Sequence, residues 1–299
     1  MDKSDITPAF VSRLIATQFP KWADLPVTRV ELDGNDNTTF RLGEDLSVRL
    51  PSADRYVLQI DKEHRWLPIL AEHLPLAIPQ PLAKGVPAFG FTRPWSVYRW
   101  LKGDPAIVGA VANQSKLATE LADFLAALYG IDPAGGPPPG EHNFFRGGSL
   151  ITYDDESSDA IAALGDEINA KAAAEVWQAA LGATWHHSPV WVHGDVSAGN
   201  LLVDRGTLSA VIDFGCLGVG DPACDVTIAW TFLSGDSREA FRARLPVDDA
   251  TWARGRGWAL WKAMITLVQV READPATAAM ARRVIEDVLA EHGVGRGRP

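Results

Sequence analysis

The chain reads as an α+β protein of two lobes, a small antiparallel sheet carrying one helix followed by a larger, mainly helical half. Three observations predict this. Short β-branched and aromatic runs cluster before residue 101 around a single long amphipathic stretch. From residue 102 onward apolar residues recur mostly at helical spacing. Within that half, the apolar runs Val190-Trp191-Val192, Leu201-Leu202-Val203 and Ala210-Val211-Ile212 read as short buried strands carrying polar loops.

The elements follow in order. Phe10, Leu14, Ile15 and Phe19 have helical spacing, with Thr7-Pro8 as a start signal. Val27 to Leu32, Thr38 to Leu42 and Leu46 to Leu50 alternate as strands, and Gly34-Asn35-Asp36-Asn37 between the first two is a turn that on its own makes an ordinary hairpin. Val57 to His73 predicts a helix packing through Leu58, Trp66, Leu67 and Leu70. Prolines 79, 81, 87 and 94 then break the chain, with strand-like runs at Phe89-Gly90-Phe91 and Trp95 to Leu101, the latter closing the small sheet. Gln114 to Tyr129 is an amphipathic helix. Gly135 to Gly140 excludes regular structure and, with His142 to Gly148, predicts a mobile or acceptor-specific insertion. Ile161 to Leu181 predicts one helix with Leu164, Ile168, Val176 and Leu181 inward; Asp225 to Leu233, Trp252 to Val270 and Ala276 to Ala290 predict three more, and 293–299 a frayed end.

With 299 residues, 46% of them hydrophobic, the chain can bury a full core, and the lobes divide at 1–101 and 102–299. No leader and no apolar run of eighteen residues is visible, which disfavours secretion and membrane insertion and predicts a cytoplasmic protein. Cys216 and Cys224 match neither a disulfide framework nor a common zinc pattern. The net charge of −10 falls wholly after residue 101, since 1–101 carry 12 acids and 12 bases. Nucleic acid is therefore disfavoured as a partner.

The polar residues of the central stretch have a fixed relation: Asp195, Asn200 five positions later and Asp213 eighteen positions later. Phosphoryl transfer from a nucleotide uses such a layout, because positioning and charge neutralisation supply nearly all the catalysis. One aspartate faces the acceptor hydroxyl, while an asparagine and a second aspartate hold magnesium against the phosphates.

His193-Gly194-Asp195-Val196-Ser197-Ala198-Gly199-Asn200 resembles the catalytic loop of the protein-kinase-like superfamily, and Asp213-Phe214-Gly215 resembles its metal-binding turn. Gly194 stands where a protein kinase has an arginine, and Gly220-Asp221-Pro222-Ala223-Cys224-Asp225 follows too soon for a long activation segment. The HGD form followed by IDFG and GDPxxD resembles the aminoglycoside phosphotransferase family of small-molecule kinases. This resemblance implies a two-lobed protein-kinase-like fold, ATP (with GTP as the alternative) and Mg2+ as cofactors, and a small-molecule alcohol as acceptor.

Residue by residue, the resemblance implies that Asp195 accepts the hydroxyl proton and that Asn200 and Asp213 hold magnesium. Asn35, Asn37 and Thr38 of the glycine-poor turn would cover the phosphates, and the backbone around Tyr98 and Trp100 would meet the base. Arg49 stands where the family usually has a lysine, with Glu63 as its partner; a solvent-facing Arg49 is the competing reading. Asp221 and Asp225 are expected to brace turns and backbone rather than bind metal, and His193 to support the loop. The excess acids favour a cationic acceptor, with Asp236, Glu239, Glu272 and Asp274 as candidates to face it. A metabolite kinase of the choline, homoserine or ketosamine type, or a nucleotide-binding pseudokinase acting as a regulatory module, remain as alternatives, and the oligomeric state stays open.

Overall fold

The computed structural model describes residues 5–31, 34 and 36–296. Thr7 caps α1 (Pro8–Gln18) by accepting a hydrogen bond from the Phe10 amide, and proline opens the first turn. The small sheet is antiparallel throughout, in the order β1 (Val27–Arg29), β2 (Asn37–Leu42), β3 (Leu46–Pro51), β5 (Trp95–Arg99) and β4 (Pro81–Gly85). Phe40, Leu42, Val48, Leu50, Trp95 and Val97 form an apolar layer against Leu14 and Ile15 of α1. Alternation leaves Asn37, Thr39, Ser47 and Arg49 for the opposite face, where they line a cleft.

Between β3 and β4 runs α2 (Val57–Ala71), whose Leu67 and Leu70 enter the core of the helical half. After β5 the chain passes through β6 (Asp104–Pro105) into α3 (Gln114–Tyr129), capped by Asn113. The helical half contains α4 (Asp154–Leu164), α5 (Ala170–Gly182), α6 (Ile228–Thr231), α7 (Gly235–Arg244), α8 (Asp249–Val270) and α9 (Pro275–Arg296). Two small antiparallel sheets sit among them: β6, β8 (Leu201–Asp204) and β9 (Thr207–Val211) in one, β7 (Val190–Val192) and β10 (Gly218–Gly220) in the other. Their loops carry the polar residues of the central stretch. No described helix is long and apolar enough to cross a membrane.

Several expectations are corrected. The first strand stops at Arg29, and Leu32 lies outside the described residues. Phe89-Gly90-Phe91 is a tight turn, because Phe89 and Gly90 have φ of 54° and 89° and only Ala88 and Phe91 bridge across it. The single helix expected over 161–181 is two: Gly165 breaks it at φ 49°, and Asn169 starts α5 by accepting from the Ala172 amide. Residues 225–233 form a helical turn (Pro222–Thr227) followed by the short α6, because Asp221 caps Ala223 and Pro222 enters at the first position. The segment 132–148, which includes the stretch expected to be mobile or acceptor-specific, is held in place. Trp191 donates to the Asp132 carbonyl at 2.9 Å, Val219 to Pro137 at 2.8 Å and Asp221 to Gly147 at 2.8 Å, so it is stitched to β7 and β10.

The brace between these loops and α8 is ionic. Arg254 donates to Asp221 through Nε at 2.6 Å and Nη2 at 3.1 Å, and both residues are buried. A fork-shaped pair of this kind is costly to halve, because the survivor keeps its desolvation penalty. Asp221→Ala is therefore expected to lower stability by about 3–5 kcal/mol in urea denaturation, and a loss below about 1 kcal/mol would show that Arg254 finds water or another partner.

Candidate active site

The turn after β7 is built by one buried carboxylate. Asp225 accepts from the His193 amide at 3.0 Å and from the Gly194 amide at 2.7 Å. Gly194 sits at φ 84°, and a Cβ there would lie 2.5 Å from the Cys216 carbonyl oxygen and 3.0 Å from Cβ of Arg146. No side chain fits at this position, which explains the glycine. His193 is fully buried; its Nδ1 accepts from the Asp195 amide at 3.2 Å, so its Nε2 carries the proton donated to the Ile212 carbonyl at 3.0 Å. One imidazole thus ties the loop of Asp195 to the strand end before Asp213.

Asp195 is exposed. Asn200 donates from Nδ2 to the Asp195 carbonyl at 2.8 Å and to Asp195 Oδ2 at 3.2 Å, which turns its Oδ1 the other way. The Ile212 amide donates to the Asn200 carbonyl at 2.8 Å, bringing Asn200 beside Asp213. Asp213 has left-handed angles, φ 64° and ψ 68°, which cost a non-glycine residue on the order of 1–2 kcal/mol. Arg49 donates to Asp213 Oδ1 at 3.3 Å and stands 3.7 Å from Glu63 Oε1, with its guanidinium 5.5 Å from the Tyr98 ring centre. The Tyr98 hydroxyl donates to Glu63 Oε2.

A cleft of about 650 Å³ lies over this array, lined by the polar Asp36, Asn37, Ser47, Arg49, Asn200 and Asp213 together with Tyr98 to Leu101, Leu202 and Ile212.

A model of the phosphotransferase enzyme family matches residues 27–258. The chain belongs to this family. It is a phosphotransferase, and solved structures agree on the fold. The GDP complex of wild-type aminoglycoside 2′-phosphotransferase-IIIa is 19% identical with a TM-score of 0.71, covering 96% of this chain and 100% of that one. Macrolide 2′-phosphotransferase MphH from Brachybacterium faecium is 19% identical with a TM-score of 0.60, covering 93% and 97%. No curated protein sequence matches.

Within this phosphotransferase, Asn37, Arg49, Tyr98, Trp100, Asn200 and Asp213 line the cleft, and Glu63 stands behind Arg49. Thr38 does not: it alternates to the fully buried face, and Thr39 takes the cleft side. Asn35 lies outside the described residues. The Trp100 amide already donates to the Asp45 carbonyl at 2.7 Å, so it has no proton left for a base edge. Arg49 faces the cleft, not the open solvent. Among the described residues no group of three or more His, Cys, Asp or Glu side chains converges on a metal position.

Two residues not foreseen join the site. Asp36 reaches Gln59 Nε2 through Oδ2 at 3.1 Å, and its carboxyl is raised above the usual range by burial and by the charges of Asp213 and Asp195, against the Gln59 bond. The signal available was a carboxylate between two asparagines of the turn before β2. Lys62 donates to the Gly215 carbonyl at 2.8 Å, and burial pulls its ammonium down to about 8. Burial raises Glu63, opposed by Arg49 and Tyr98; for Arg49 the Glu63 and Asp213 charges outweigh burial and raise it.

Burial lifts the Asp225 carboxyl to about 6, against its His193 and Gly194 contacts. The folded value exceeds the unfolded one, so the stability this group contributes is complete below about pH 4 and is lost as pH rises through about 6. Turnover has the opposite sign, since only the ionised carboxylate accepts both amides. Between about pH 5 and 7 turnover should therefore rise while the contribution of Asp225 to thermal stability falls, and Asp225→Asn should remove both trends. Parallel pH–rate and melting profiles check this, and an unchanged melting profile in Asp225→Asn would count against it.

Proposed function

We propose that the protein transfers the terminal phosphoryl group of a magnesium-bound purine nucleotide, ATP or GTP, to a hydroxyl of a small acceptor. The observation that carries this reading is that Asn200 and Asp213 both line the cleft while Asn200 hydrogen-bonds Asp195, which is exposed next to it, and accepts the Ile212 amide just before Asp213. Relatives under 25% identity hold GDP with kanamycin, or ATP with streptomycin. Residues 1–101 would serve as the nucleotide lobe and 102–299 as the lobe carrying the catalytic loop and acceptor site. Two free cysteines accord with a reducing, cytoplasmic setting.

The donor set suits magnesium, a hard cation that takes one or two protein oxygens plus phosphates. Asn200 spends its NH2 on Asp195 and presents Oδ1; Asp213 gives one oxygen to Arg49 and has the other to offer. When bound, the metal would neutralise phosphate charge. Arg49, oriented by Glu63, would pair with the phosphates, its fork serving a carboxylate and a phosphate together. Asp195 would align the acceptor hydroxyl and take its proton as the new P–O bond forms and the nucleoside diphosphate leaves with the old bonding pair. Leu202, Ile212 and the stretch Tyr98 to Leu101, without the Trp100 amide, would hold the base.

Acceptor-stimulated diphosphate release tests the reading. Asp195→Ala is expected to lower turnover by about a hundredfold or more while leaving nucleotide affinity near that of the wild type. Unchanged turnover would remove Asp195 as base. Asp213→Asn is expected to lose magnesium-nucleotide affinity and turnover together.

The acceptor is proposed to be cationic, because every excess negative charge lies after residue 101. Of the four acids singled out, Asp274 instead caps α9 through Thr277 and Asp236 lies in the first turn of α7, and none of the four lines the cleft. The support is thus the field of the whole lobe, which acts over roughly 8 Å at physiological salt. The acceptor KM should rise clearly between low and high salt; a KM indifferent to salt, or an anionic acceptor, would contradict this.

A further inference from the structure

Lys62 precedes Glu63 on α2 and is buried. Its Nζ donates to the Gly215 carbonyl at 2.8 Å and to the His142 carbonyl at 3.4 Å, and lies 3.1 Å from His142 Nδ1. Three contacts account for the three ammonium protons. His142 Nε2 stands 2.8 Å from the Pro138 carbonyl, so it carries the ring proton and leaves Nδ1 to accept from Lys62. All three acceptors are neutral. A buried ammonium with neutral acceptors is a costly way to fill space, and a methionine would be cheaper.

What the ammonium supplies is a directed bond to the metal-binding turn. Gly215 is two residues beyond Asp213, whose left-handed backbone is held on its other side by the Ile212 to Asn200 bond. Lys62 therefore fixes the Gly215–Cys216 peptide, which closes the turn begun by the strained Asp213. The segment 132–148, stitched to β7 and β10, delivers His142 to aim it. We propose that Lys62 is a positioning residue that sets the direction of the Asp213 carboxylate, with His142 holding Lys62 on target. This rests on the reading that Asp213 meets a magnesium-nucleotide.

The test compares binding of a fluorescent ADP analogue to the full chain in EDTA and in saturating magnesium. Lys62→Met is expected to lose about tenfold or more of the tightening that magnesium gives, with the EDTA Kd within about twofold of the wild type. Lys62→Arg should recover part of the tightening, because a guanidinium also donates to the Gly215 carbonyl. His142→Phe should lose part of it. Full magnesium tightening in Lys62→Met, or an equal loss in both conditions, would overturn the proposal. Should Lys62→Met fail to fold, a wild-type magnesium response in His142→Phe overturns it instead. Wild-type protein that binds the analogue in neither condition would take the phosphotransfer reading down as well, which separates the two failures.

Discussion

Asp225 is a fully buried carboxylate bonded to two successive backbone amides, and the polar geometry of the cleft descends from it. Removing the charge from water costs several kcal/mol, and hydrogen bonds to a charged group return about 1.5–3 kcal/mol each. The raised carboxyl shows that burial outweighs these bonds, so the ionised residue serves position rather than stability. With the His193 and Gly194 amides pinned, the glycine can only turn left-handed beneath Cys216, and Asp195 emerges at a defined height. His193 passes the constraint to Ile212, and Asn200 closes the ring between Asp195 and the start of the Asp213 turn.

A second constraint enters from α2. Within one turn of that helix, Gln59 reaches Asp36 just before β2, Lys62 reaches Gly215, and Glu63 faces Arg49 and Tyr98. Their i, i+3 and i, i+4 spacing puts all three on one face. Leu67 and Leu70 of the same helix are packed into the helical half. The small sheet and the Asp213 turn are therefore referenced to one rigid element, and the forked Arg49 side chain spans the carboxylates of Glu63 and Asp213.

The polar spine of the site was legible in the sequence because its spacing is short: Asp195, Asn200 and Asp213 belong to three adjoining strands and turns whose apolar runs announce themselves. Asp225 was legible for the same reason. Thr38 was misplaced because a turn sequence does not say on which residue strand alternation begins, and one position exchanges cleft for core. Lys62 was invisible because its partners, Gly215 and His142, lie far along the chain and are mostly backbone, and a lysine on an amphipathic helix reads as solvated. The break at Gly165 was hidden by alanine-rich flanks that carry helical periodicity across it. The segment around Arg146 looked loose from its glycines and prolines, yet those residues permit its close stitching to β7 and β10.

The central claim is that the cleft joins a phosphoryl group to a hydroxyl of a separate small molecule. Phosphorus NMR of the protein with magnesium-nucleotide and a panel of amine-bearing alcohols tests this directly, because it distinguishes a phosphate monoester on the acceptor from free inorganic phosphate. The account predicts a new monoester signal for at least one acceptor, growing in step with nucleoside diphosphate and absent in Asp195→Ala. Diphosphate appearing only with inorganic phosphate, at a rate indifferent to every alcohol and to the Asp195→Ala substitution, would contradict it.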